Sequence, residues 1–285
     1  MPRSPSGLTA MGAFSLTPPL FAIWKNLIQE RTGIHYDPKE LPLLASKLEG
    51  RATEAGFDSP LDYYYFLRYD ASSGAELDAL IDALVVNETY FFREAAQLSV
   101  LCEAMLVPGC AAGKRLRVWC AACSTGEEPL TLAMILEEMG VLNEVDIVAS
   151  DIGLRALARA EQGDYGGRSL RALPQSMKER WFEMVDERAR VLPQLRTKIE
   201  WRRVNLLDDE AIRSLGKFDA ILCRNVFIYF SDDTVQRVVN SLSRALNDGA
   251  PLLVGASESL LRFGTALTSK EHAGCLFHIR SPRHE

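Results

Sequence analysis

Residues Arg117–Leu132, RVWCAACSTGEEPLTL, constrain the fold more than any other stretch of the chain. A short apolar strand runs into a turn of small residues, and two acids open the helix that follows. Ala121, Ala122, Ser124, Thr125 and Gly126 carry almost no side chain to hold a ligand away from the backbone, as a nucleotide-type site at a strand-to-helix turn requires. A pyrophosphate would want glycines spaced G-x-G-x-x-G and an uncluttered helix N-terminus, where free N–H groups and the helix dipole favour an anion. This turn has one glycine and then Glu127-Glu128. Two acids repel phosphate and suit a cationic ligand, such as the amino and sulfonium groups of S-adenosylmethionine. Taken alone, they are equally well read as a complement to the helix dipole.

A second signal follows at Glu144–Ser150, EVDIVAS, which reads as a buried strand with Asp151 at its carboxyl end. In a doubly wound sheet, an acid at the end of the second strand is placed to accept hydrogen bonds from ribose hydroxyls. Phe218–Cys223, FDAILC, reads as a further buried strand, and its continuation Arg224–Phe230, RNVFIYF, brings polar groups to the same edge of the sheet.

The chain has 285 residues, 47% of them hydrophobic, enough to bury the cores of two domains. No run reaches the roughly 18 uninterrupted apolar residues of a membrane span. Met1–Thr17 has no secretory apolar core and is read as a disordered lead-in to a cytoplasmic protein. A net charge of −6 argues against sequence-independent nucleic-acid binding, which needs a basic face. Six cysteines are scattered through apolar segments. Cys120 and Cys123 have CxxC spacing but neither a second pair nor a histidine cluster, so no metal site is expected and the thiols are read as core residues.

Residues 18–86 read as a helical domain. Phe21, Trp24, Leu27 and Ile28 recur at helical spacing, followed by Leu41, Leu44 and Leu48, then Leu61, Tyr64 and Tyr65, then Leu77, Leu80, Ile81 and Leu84. Residues 87–113 form a junction segment and linker helix. From 114 to 285, strands and helices alternate as in an α/β domain with a largely parallel sheet. Residues 178–204 interrupt the alternation: Trp181–Val185, Arg190–Leu192 and Lys198–Val204 read as an antiparallel insertion with a turn at Asp186–Ala189. Val235, Val238, Val239 and Leu242 mark a helix, and Gly249–Gly255 and Cys275–Ile279 read as closing strands.

Asn87–Glu94 (NETYFFRE), Ser124–Pro129 (STGEEP), Ala149–Ile152 (ASDI) and Cys223–Phe230 (CRNVFIYF), in this order, resemble the chemotaxis receptor methyltransferases, the CheR family. The resemblance runs from about residue 20 to 280. It implies an all-helical N-terminal domain, then a doubly wound S-adenosylmethionine-dependent methyltransferase domain carrying a small antiparallel β insertion. It further implies methylation of glutamate side chains on the cytoplasmic helices of methyl-accepting chemotaxis receptors, with S-adenosylhomocysteine as product. By motif, the cofactor residues would be Asn87, Thr89, Arg93, Glu128, Asp151, Asn205, Leu206, Arg224 and Asn225, and Arg93 and Tyr229 would lie nearest the transferring methyl.

Two features depart from the family pattern. Gly153 stands where members often have a second acid, and residues 1–90 hold seven Lys or Arg against twelve Asp or Glu, a net −5 where a basic face toward the receptor is expected. Lys39, Lys47 and Arg51 are the candidate local patch. The insertion is shorter than in members that dock on a receptor's C-terminal tether, so the tether is expected to be dispensable. Methyl transfer to an ionised carboxylate requires no general base, which agrees with the lack of a His or Cys catalytic pair in the motifs. The alternative is a signalling module that binds S-adenosylmethionine without catalysis.

Overall fold

The computed structural model describes residues 14–281. The chain divides into two compact units, Met1–Leu84 and Val85–Glu285.

The first unit packs α1 (Pro18–Thr32), α2 (Leu41–Glu54), α3 (Pro60–Tyr69) and α4 (Gly74–Leu84). Prolines open α1, α2 and α3, where the missing N–H costs nothing, and Gly33 ends α1 at φ 80°. Trp24, Leu44, Leu48, Tyr63 and Leu80 form the core. On α3 the buried stripe is Tyr63 and Leu67, whereas Leu61 and Tyr65 are exposed. The sequence reading set this helix in the wrong phase, because four successive aromatics leave the apolar face undefined. Most of the lead-in read as disordered lies outside the described residues, but Leu16 is buried and Phe14 packs on the same core. Nor is the expected basic patch free. Lys47 Nζ donates to the Leu84 carbonyl at 2.7 Å, and Arg51 makes a two-pronged pair with Glu76 at 2.6 and 2.7 Å.

In the second unit, α5 (Ala95–Leu101) and α6 (Val107–Ala111) precede β1 (Leu116–Ala121), α7 (Glu127–Glu138), β2 (Val145–Asp151), α8 (Leu154–Gln162) and β3 (Asp164–Tyr165). Then come α9 (Gln175–Trp181), β4 (Phe182–Val185), β5 (Arg188–Val191), α10 (Pro193–Arg196), β6 (Ile199–Arg203), α11 (Asp209–Ser214) and β7 (Ala220–Leu222). The chain closes through α12 (Asp232–Ala245), β8 (Pro251–Leu253), β9 (Leu267–His272) and β10 (Cys275–Arg280).

Among the described residues seven strands form one sheet in the order β6-β2-β1-β7-β8-β10-β9, all pointing one way except β10, which runs antiparallel to its neighbours β8 and β9. Side chains alternate between its two faces, and both faces are covered. Val118, Cys120, Ile147, Ala149 and Leu222 join α5 and α7 in one core; Trp119, Val148, Ile221 and Cys223 join α11 and α12 in the other. Helix α7 is buried continuously from Pro129 to Leu136, which explains its weak amphipathic pattern. The chain winds outward from β1 in both directions, so a crevice opens at the carboxyl ends of β1 and β7, the topological switch point.

A small antiparallel sheet, β3-β5-β4, supplies the expected insertion, with one correction. Lys198–Val204 does not belong to it. Its central part is β6, the parallel edge strand beside β2, with Ile199 opposite Ile147. Ile199 faces inward while Glu200 and Arg202 face out, an alternation that an edge strand and an insertion hairpin share. The third insertion strand is instead the two-residue β3. Strand β9, LTSKEH, also has no expectation in the sequence reading; it is a largely exposed, charged edge strand with little apolar signal.

Candidate active site

Seven described non-glycine residues have positive φ. Asp186 and Ala273 occupy the β4–β5 and β9–β10 turns, where such angles are ordinary. The other five, Phe92, Glu94, Ala122, Ser124 and Asn225, lie in segments that meet at the carboxyl edge of the parallel sheet. Each costs on the order of 1–3 kcal/mol, and strain of this kind concentrates where geometry serves a ligand or a reaction.

The turn after β1 folds through left-handed residues at Ala122, Ser124 and Gly126. Gly126 has no substitute: a Cβ there would stand 2.7 Å from the Ala160 Cβ and 3.0 Å from the Trp201 ring. Cys123 N–H donates to the Ser150 carbonyl at 2.8 Å, tying the turn to the end of β2. There the buried carboxylate of Asp151 accepts from the N–H groups of Ser124 and Gly153, each at 2.8 Å. Asn87 Oδ1 accepts from Ser124 Oγ at 2.9 Å, so Asn87, the turn and Asp151 form one connected unit. The N–H of Val204 donates to the Asp151 carbonyl at 3.1 Å and brings Asn205 and Leu206 alongside.

Arg224, just beyond β7, is the hub of the crevice. Its side chain is 2% exposed. Nη1 donates to Glu128 at 2.7 Å, Nη2 to Glu94 at 3.0 Å and to the Arg93 carbonyl at 2.9 Å, and Nε to Gln97 at 3.2 Å. Two carboxylates thus share one guanidinium. Burial holds the Glu128 carboxyl above the ordinary carboxylate range, with Arg224 opposing and the like charge of Glu94 adding to the rise. Glu94 goes the other way: despite its burial, the Ala256 N–H and Arg224 lower its pKa. Carboxylates outnumber the guanidinium groups bonded to them at this edge, which suits a cationic ligand.

The junction segment is anchored by Phe91, fully buried with its ring edge-on to Tyr165 and Phe182 at 4.7 and 5.2 Å. Arg93 Nη1 donates to the Glu88 carbonyl at 2.8 Å, and Arg171 lies 3.8 Å over the Tyr90 ring while pairing with Glu88. Tyr229 sits in a single 3-10 turn, Phe227–Tyr229, half-buried and within the electrostatic reach of Arg93. Burial raises its phenol pKa, with Arg93 opposing.

Of the residues singled out from sequence, Asn87, Asp151, Asn205, Glu128, Arg224, Asn225, Arg93 and Tyr229 are therefore gathered along this edge. Leu206 turns into the core, and Thr89 is half-buried on the junction segment. Glu128 is bound to Arg224, an ion pair the sequence reading did not anticipate. Glu94, Gln97 and Glu258 were passed over. Glu94 lay inside a quoted motif, and Glu258 follows β8 as Asp151 ends β2, an acid at the carboxyl end of a parallel strand. Among the described residues no group of three or more His, Cys, Asp or Glu forms a metal site, and no helix is long and apolar enough to cross a membrane. The six cysteines are free thiols, all but Cys110 buried.

A parallel sheet wound outward from β1, an acid closing its second strand and a crevice at the switch point frame a nucleoside-cofactor site, and a family match makes the class an S-adenosylmethionine-dependent methyltransferase. Residues 87–272 match the family model of the CheR methyltransferase SAM-binding domain, and residues 19–85 that of the CheR all-alpha domain. The chain belongs to the CheR methyltransferase family. It is 34% identical to chemotaxis protein methyltransferase 2 of Vibrio cholerae over 276 residues, covering 95% of this chain and 92% of that one. Chemotaxis protein methyltransferase 1 of Pseudomonas aeruginosa is 33% identical, over 84% of this chain and 90% of its own. A probable biofilm formation methyltransferase, WspC, from the same organism is 36% identical over 69% of this chain and 47% of its own.

Proposed function

We propose that this chain is a cytoplasmic protein-glutamate O-methyltransferase acting on glutamate side chains in the helical region of methyl-accepting chemotaxis receptors. The observation that carries the reading is the crevice in which Glu94 and Glu128 share the single guanidinium of Arg224. When bound, S-adenosylmethionine supplies an electrophilic methyl on a sulfonium sulfur. Asp151, already oriented by two N–H groups, would hold the ribose hydroxyls, with Asn205 beside it. Glu128 would answer the cationic end, and Asn87, Thr89 and Arg93 would hold the cofactor from the junction segment. Arg224 and Asn225 would complete the site.

The incoming glutamate is already ionised at neutral pH, so the protein's task is alignment and exclusion of water, effects that reach about 7–11 kcal/mol in well-oriented systems. Tyr229, protonated at neutral pH as any phenol is, donates a hydrogen bond that orients the attacking carboxylate. Arg93 holds the other side of the substrate carboxylate. A cation directly on the attacking oxygen would stabilise the ground state more than the transition state, because charge is lost as the bond forms.

On this reading a receptor tether is dispensable, as the length of the insertion in the sequence leads one to expect. Tight calorimetric binding of a tether peptide contradicts that part. Labelled methyl transfer to a receptor cytoplasmic fragment tests the whole: base-labile label, released as methanol, is expected. Cofactor binding without transfer selects the non-catalytic module instead.

A further inference from the structure

We propose that Glu258 is a positioning residue for methyl transfer, its carboxylate clamping the segment that presents Tyr229. The inference rests on the functional reading above and adds a residue to it.

Strand β7 ends at Leu222, seven residues before Tyr229, and the chain between carries one left-handed residue, Asn225 at φ 59°, and one short turn, Phe227–Tyr229. Packing fixes this segment only in part: Phe227 is 5% exposed, but Ile228 beside Tyr229 is 56% exposed. A further restraint comes from Glu258, itself 8% exposed. Its Oε2 accepts from the N–H groups of Asn225 at 2.6 Å and Gly255 at 2.8 Å, stitching the exit of β7 to the exit of β8. Its Oε1 accepts from Phe227 at 2.7 Å and Ile228 at 3.3 Å, capping the start of the turn.

Four backbone donors converge on one buried carboxylate, and among the described residues no Lys or Arg forms an ion pair with it. Amide dipoles alone hold the charge, an arrangement that serves to place those amides. The site is built for close approach: a Cβ on Gly255 would fall 2.4 Å from Asn225 Nδ2 and 2.9 Å from Glu258 Oε2. The same loop reaches the Arg224 hub, because the Ala256 N–H donates to Glu94 at 3.0 Å.

Glu258→Gln preserves shape but turns one acceptor into an NH2 group facing two N–H donors. The test is a double-mutant cycle of Glu258→Gln and Tyr229→Phe in the full chain, measuring methyl transfer from S-adenosylmethionine to a receptor cytoplasmic fragment, with amide hydrogen exchange on each variant. Glu258→Gln is expected to lower kcat about tenfold or more, the scale of a lost charge-assisted hydrogen bond. KM for the cofactor moves less than kcat, and loss of protection is confined to residues 224–230 and the Gly255 end of the loop that carries Glu258. In the Tyr229→Phe background the same change costs little further, because both act through one group. Glu258→Asp, which keeps the charge and withdraws it by one methylene, serves if the amide variant does not fold, and a slowed kcat is again expected. A wild-type kcat in a folded Glu258 variant, or costs that simply multiply in the double variant, overturns this proposal alone. A wild-type chain that transfers no methyl overturns the functional reading and the proposal together.

Discussion

Arg224 and Glu128 stand 2.7 Å apart at the carboxyl edge of the sheet, joining the end of β7 to the first turn of α7. Only 2% of the Arg224 side chain is exposed, and the same guanidinium also holds Glu94. Removing it strands two carboxylates in the crevice. Arg224→Met is expected to destabilise the fold by about 3–5 kcal/mol, measured by urea unfolding, since a broken buried pair leaves uncompensated charge. Arg224→Lys recovers little of this, because an ammonium cannot reproduce the fork that reaches Glu128, Glu94 and Gln97 at once. Equal stability of the Met variant and the wild type contradicts the hub.

The raised pKa of Glu128 gives cofactor affinity a pH dependence. A cation bound beside it favours the ionised form, so binding releases a proton wherever the free enzyme still holds one. Affinity for S-adenosylmethionine therefore weakens as pH falls through the raised Glu128 range, by up to about tenfold per pH unit for a single proton. Calorimetry at successively lower pH should show this slope, and Glu128→Gln should bind more weakly at neutral pH with a flatter profile. A slope unchanged in the variant contradicts the assignment.

Tyr229 gives a different signature. Tyr229→Phe should lower kcat with little change in cofactor affinity, since the hydroxyl is assigned to the substrate carboxylate. A phenol whose pKa is raised from its ordinary value near 10 stays protonated, so kcat should hold through pH 9. An undiminished kcat in Tyr229→Phe removes the role.

His278 makes a prediction about stability alone. Its ring is 1% exposed, Nδ1 lies 2.9 Å from Ser269 Oγ, and Nε2 has no hydrogen-bond partner. Burial lowers its pKa. The folded state thus resists protonation that the unfolded chain accepts below about pH 6.5, and stability present above that pH is lost as pH falls through it. The melting temperature of His278→Gln should fall less between pH 7.5 and 5.5 than that of the wild type.

What the sequence made legible followed from burial. The strands β1, β2 and β7 are covered on both faces and read as short apolar runs, and Asp151 and Arg224 stand where those runs end. Where one face is open the pattern was ambiguous: Ile199–Arg203 alternates as well for an edge strand of the main sheet as for an insertion hairpin, and β9 shows hardly any apolar pattern. The aromatic run Tyr63–Phe66 hid the phase of α3 for the opposite reason, having too much apolar signal. Ion-pair partners were the least legible. Nothing local to Glu128 or Glu94 announces that a guanidinium 96 and 130 residues away lies between them, and Glu258 acts through backbone amides that carry no sequence signature.

The most direct test is titration of S-adenosylmethionine and S-adenosylhomocysteine into the full chain and into Asp151→Ala. The account predicts binding of both by the wild type and a loss of about a hundredfold or more in the variant, which forfeits the ribose contacts and the carboxylate that shapes the Ser124 turn. Absence of binding to the wild type, or equal binding by the variant, would contradict the placement of the cofactor at the carboxyl edge of β1 and β2.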